Sequence, residues 1–145
     1  MKVTSRELLL FVKLSRPHYL LLGMLLYGVG GSIAGYLGRP LDVRLYLVGQ
    51  ALIIFIQLMG QYLHEYYWDP APETSQARGL FTATSGAIGQ EGLPRQTAWL
   101  SAVVALGLAA TTASALLVSG EAPTLSWVVL LIIFLAAFAY SGPPL

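Results

Sequence analysis

The sequence predicts an all-α membrane protein with four transmembrane helices. Composition points there first: 56% of the 145 residues are hydrophobic and 10% are charged, where ordinary globular domains carry about a quarter charged residues. The placement of those charges points there again. No Asp, Glu, Lys or Arg falls between Pro17 and Gly38, between Leu45 and His64, between Gln96 and Gly120, or from Ala122 onward. A hydrocarbon core about 30 Å thick needs roughly 20 apolar residues, and each charge-free stretch meets that length. A soluble helical bundle would need charged faces on its helices. Disorder is excluded by the hydrophobicity. A formal net charge of +1 gives no footprint for nucleic acid. With no cysteine, disulfides, thiolate metal sites and cysteine nucleophiles are absent.

In chain order, the segment from Thr4 to Ser15 reads as a short helix on the membrane surface. Leu8, Phe11 and Val12 enter the interface while Arg6, Lys13 and Arg16 stay in water. The spans are placed at 18–37, 45–66, 97–118 and 125–140, within a single transmembrane domain covering 1–145. A cleavable signal peptide is not expected, because the first apolar run is too long for a signal core and lacks a cleavage site. The one long connection is the loop 68–96. Gly31-x-x-x-Gly35 in the first span, and Ala105, Ala109 and Ala113 in the third, are spaced for close helix approach, which suits packing within the chain better than a dimer motif. Basic residues set the orientation. Lys2, Arg6, Lys13, Arg16, Arg78 and Arg95 lie on one side, and Arg39 and Arg44 on the other. The N-terminus, the long loop and the C-terminus are therefore expected in the cytoplasm of a multi-pass cell-membrane protein.

Candidate chemistry concentrates at the end of the second span. Gln50, Gln57, Gln61, His64 and Trp68 fall on one helical face, with Glu65 at its edge. Polar groups in hydrocarbon are costly, so this stripe faces either neighbouring helices or a watery cavity. Glu65, Asp69 and Glu73 recur every four residues. On a continuous helix they would share a face suited to holding Mg²⁺ against a diphosphate. Pro70 and Pro72 oppose that geometry, and the alternative is a solvated acidic loop. His64 by itself is more typical of a hydrogen-bonded interfacial histidine than of a ligand. Between Arg78 and Arg95, the small residues Thr82 to Gly86, Ser85 among them, could offer donors to an anion; a flexible linker is the other reading. Tyr62, Tyr66, Tyr67, Trp68, Trp99, Trp127 and Tyr140 fit the interfacial aromatic belt.

Together these pieces resemble the N-terminal half of a UbiA-type membrane prenyltransferase. The resemblance runs from Leu14-Ser15-Arg16-Pro17 through Gln61-Tyr62-Leu63-His64-Glu65-Tyr66-Tyr67, at the place of the first aspartate-rich motif. It continues in Phe81-Thr82-Ala83-Thr84-Ser85-Gly86 and Gly92-Leu93-Pro94-Arg95, similar to relatives that prenylate naphthoate for menaquinone. It ends with Tyr140-Ser141-Gly142-Pro143-Pro144-Leu145, like the close of the family's fourth helix. The resemblance implies the first half of a nine-helix fold that transfers a prenyl group from a polyprenyl diphosphate to an aromatic acceptor in quinone biosynthesis. It also implies Mg²⁺ and diphosphate at Glu65, Asp69, Glu73 and His64, a substrate cavity at Gln57, Gln61 and Arg16, and phosphate contacts from Arg78, Ser85 and Arg95. The first motif, roughly N-D-x-x-D-x-x-x-D in the family, falls here on His64, Glu65, Trp68 and Pro72. A one-residue insertion would restore Asp69 and Glu73 with a rotation of about 100°. The second motif has no counterpart in these residues, so the chain is expected to be incomplete and inactive alone, with a C-terminal half as its missing partner. The alternative is a non-catalytic four-helix membrane protein with a binding, assembly or transport role.

Overall fold

The computed structural model describes residues 4–68, 85–89, 92–120 and 123–141. It is all-helical: α1 (Ser5–Leu14), α2 (Pro17–Tyr36), α3 (Val43–Tyr67), α4 (Arg95–Ser119) and α5 (Thr124–Ser141). The last four are long and apolar enough to cross a membrane, the signature of a multi-pass membrane protein. Their bounds lie within two residues of the spans expected from the charge-free stretches.

The short helix α1 starts on a capping box. The Glu7 N–H donates to the Thr4 hydroxyl at 3.3 Å, and the Thr4 N–H donates to the Glu7 carboxylate at 2.7 Å. Two of the helix's otherwise unpaired N–H groups are thereby satisfied. The Thr4 backbone bond, seconded by its hydroxyl, holds the Glu7 carboxyl below its ordinary pKa. That cap is complete above the ordinary carboxylate range and is lost as pH falls through the lowered value. Leu8, Leu9 and Val12 are exposed, while Leu14 is 0% exposed, so α1 presents an apolar outer face and inserts its last residue into the protein. The Ser15 hydroxyl shares a 2.7 Å hydrogen bond with the Tyr62 hydroxyl on α3.

Helix α3 is the hub: α4 packs along it most extensively, then α5, α2 and α1. Asp42 caps its start by accepting the Leu45 N–H at 3.1 Å. The α3–α4 seam is made of small residues, with Ala98, Ala102, Ala105 and Ala109 all buried. Without a hydrophobic driving force between helices in lipid, backbones gain by approaching closely. The alanine spacing therefore serves packing inside the chain. Gly31 likewise lies against the Tyr46 ring of α3, but Gly35 faces open space, so only half of the glycine pair makes a contact. Helix α2 contributes no buried residue, and its Leu21, Leu25, Val29 and Ile33 are exposed, as a lipid-facing helix requires. It leans on α3 through Tyr27 and Tyr46, whose ring centroids are 5.0 Å apart.

Part of the connection expected as the loop 68–96 is folded in. Ala87 is 0% and Leu93 is 9% exposed, both in one cluster with Leu14, Met59 and Tyr62. Tyr62, expected in the aromatic belt, is buried in that cluster because its hydroxyl has Ser15 for a partner, which a buried tyrosine needs.

Candidate functional site

A cavity of about 530 Å³ opens between α2, α3 and α5. Its first wall begins with Arg16, the residue between α1 and α2, at φ 46° and ψ 64°. This is the one non-glycine residue at positive φ among the described residues. The left-handed conformation costs an L-residue roughly 1–2 kcal/mol and reverses the chain from the surface helix into the first span. Pro17 then supplies a preset φ for the first helical position. The side chain is 8% exposed, and its guanidinium lies 4.4 Å from the centroid of the Tyr19 ring, a cation–π distance. Leu22, Gly23 and Leu26 carry the same wall deeper; ten residues of helix from Arg16 to Leu26 span about 15 Å.

The facing wall is the polar stripe of α3. Gln57, Gln61 and His64 line the cavity together with Ile56 and Gly60. The Oε1 atoms of Gln57 and Gln61 are buried without a hydrogen-bond partner among the described residues. The Gln57 amide lies so close over Gly23 that any β-carbon there would displace it. Gln50, two helical turns before Gln57, is buried but lies outside the cavity lining. Helix α5 closes the third side with Ala137, Tyr140 and Ser141. It approaches α3 at Gly60, where a β-carbon would stand 3.2 Å from the Ser141 hydroxyl oxygen. The His64 ring stacks between Tyr140 (5.4 Å, 8°) and Trp68 (5.7 Å, 17°). The sequence puts Trp68 on the face of Gln57, Gln61 and His64 and Tyr140 in the aromatic belt, and gives Tyr19, Gly23 and Gly60 no role. Only the fold brings the ends of α2, α3 and α5 together.

The Arg16 end of the cavity is thus polar and aromatic, and further along Leu22, Leu26 and Ile56 give apolar walls around the single amide of Gln57. Arg16 brings the one formal charge to the described lining.

The remaining expected site residues lie elsewhere. Glu65 is 3% exposed and is turned away from the cavity lining; its carboxylate accepts the Ser85 N–H. Arg95 is the first residue of α4 and donates from Nε to the Tyr66 carbonyl at 2.5 Å, with its guanidinium 5.4 Å from the Tyr66 ring centroid. Asp69, Glu73 and Arg78 fall outside the described residues. Among the described residues no three His, Asp or Glu side chains converge as a metal site requires. The described residues alone therefore supply no complete ligand set for a metal ion. Comparison of the chain with protein-family models, with curated proteins and with solved structures finds no match.

Proposed function

We propose that the cavity between α2, α3 and α5 binds a polyprenyl diphosphate, as the donor site of a membrane prenyltransferase of the UbiA type acting on an aromatic acceptor in quinone biosynthesis. The observation that carries this reading is the pairing of a buried arginine with the apolar side chains of Leu22, Leu26 and Ile56 along a cavity wall about 15 Å long. Arg16 meets the diphosphate, Leu22, Leu26 and Ile56 contact the isoprenoid chain, and the low-dielectric walls strengthen the charge–charge attraction. The Gln57 and Gln61 amide oxygens can accept hydrogen bonds from the hydroxyls of a phenolic acceptor. Transfer itself belongs to the fold this chain resembles. The activity assigned to these 145 residues is binding. Magnesium enters the proposal only through Asp69 and Glu73, and no step is routed through it.

The test is calorimetry on the detergent-solubilised chain with a non-hydrolysable farnesyl or geranylgeranyl thiodiphosphate, inorganic diphosphate and the corresponding prenyl alcohol. Saturable binding of the thiodiphosphate, at least tenfold tighter than either fragment, is the expected result. Equal affinity for inorganic diphosphate, or no saturable binding, would remove the reading and leave a four-helix protein with a binding or assembly role.

The cavity mouth lies at the ends of α3 and α5 and the start of α2, the side expected in the cytoplasm from the six-to-two basic bias. Reporter fusions at Met1, within the 69–84 segment and at Leu145 should all report that side. A periplasmic signal from the 69–84 fusion would put the mouth on the wrong face for a cytoplasmic diphosphate.

A further inference from the structure

We infer that Glu65 is a positioning residue that docks the segment before α4 onto the last turn of α3, and is not a ligand for a metal ion. One position past His64 on the helix, it is rotated about 100° from the cavity wall. Its carboxylate receives the Ser85 N–H. The Ser85 hydroxyl in turn accepts the Ala87 N–H at 3.1 Å, and Ala87 O accepts the Leu93 N–H at 2.8 Å. Ala87 and Leu93 are the apolar part of the same attachment, in one cluster with Met59 and Tyr62. At the far end, Arg95 donates from Nε to the Tyr66 carbonyl and, at 3.4 Å, from Nη2 to the Tyr67 carbonyl. These are carbonyls that a helix end leaves without intrahelical partners. The segment is therefore fastened to the end of α3 at both ends, by Glu65 on one side and Arg95 on the other.

The chemistry favours this role over metal binding. A carboxylate removed from water is tolerated when hydrogen-bonded, and a backbone N–H donating to a carboxylate is among the stronger hydrogen bonds. A magnesium ion would have to bring its own waters into a place that is 3% exposed. The two roles also respond differently to substitution. A metal ligand needs the negative charge, which Glu65→Gln removes. A docking group needs an acceptor of the same reach, which Glu65→Gln keeps.

Hydrogen–deuterium exchange on the full chain in detergent separates them without any prenyl ligand, so the outcome is independent of the donor-site reading. Glu65→Ala is expected to speed exchange in the peptide covering Ser85 to Leu93 at least tenfold, and Glu65→Gln by less than about threefold. Millimolar Mg²⁺ is expected to leave the unsubstituted protein unchanged. Ser85→Pro removes the donor from the other side and should reproduce Glu65→Ala with helix content intact by circular dichroism, which keeps the test available if Glu65→Ala does not fold. Exchange in Glu65→Gln as fast as in Glu65→Ala, unchanged exchange in Ser85→Pro, or a magnesium-dependent change at Ser85 would each overturn the assignment.

Discussion

Arg16→Gln is expected to weaken binding of a prenyl thiodiphosphate by about 10- to 100-fold. Hydrogen bonds to charged partners contribute about 1.5–3 kcal/mol, and each 1.4 kcal/mol is a factor of ten in affinity. Arg16 is 8% exposed, so the contact would be made away from bulk screening. Arg16→Lys should recover only part of the loss, because an ammonium lacks the planar fork that fits phosphate oxygens. Arg16→Gly makes the case sharper. Glycine adopts positive φ without steric cost, so the turn at φ 46° should be relieved while the charge is lost. A chain at least as stable as the parent that no longer binds the thiodiphosphate would place the effect in the side chain. If Arg16→Gln titrates within threefold of the parent, the mouth of the cavity does not hold the head group.

Leu14→Ala is expected to destabilise the protein by about 2–5 kcal/mol, the usual range for truncating a fully buried leucine. Leu14 is 0% exposed and packs in the cluster with Met59, Tyr62, Ala87 and Leu93. It thus ties the surface helix, the hub helix and the docked segment together. Leu9→Ala is the matched control on the same helix: Leu9 is 68% exposed, and such surface changes stay within about 0.5 kcal/mol. Equilibrium unfolding of both variants in mixed micelles compares them directly. Equal midpoints for the two would mean that α1 rides on the protein without being part of its core.

The spans were legible because charge placement alone locates a hydrocarbon-sized helix, and each observed helix lies within two residues of its expected bounds. The surface helix was legible in its amphipathic pattern, but Leu14 sits at its end where that pattern gives no inside. The stripe of Gln57, Gln61 and His64 could be read from helical spacing, while the choice between packing and cavity depended on what faced it. Arg16 was reached through resemblance; its left-handed backbone has no signal in the local sequence beyond the proline that follows. Glu65 was assigned to the same chemistry as its neighbour His64, although adjacent helix positions point about 100° apart. That difference separates a cavity wall from a buried anchor. Tyr140 and Ser141 were illegible as site residues because their partners lie on α3, far away in the sequence.

The length of α3 fixes the depth at which the cavity opens. Twenty residues separate Arg44 from His64, or about 30 Å of helix, which equals the thickness of the hydrocarbon layer. With Arg44 held at one boundary by its charge, His64 and the ring stack around it stand at the other, level with the lipid head groups. A molecule entering there leaves its charged end in contact with the aqueous phase while its chain passes sideways into oil. Donor capture at that level would be a two-phase event: the tail arrives by lateral diffusion in the leaflet, and the head never has to cross hydrocarbon.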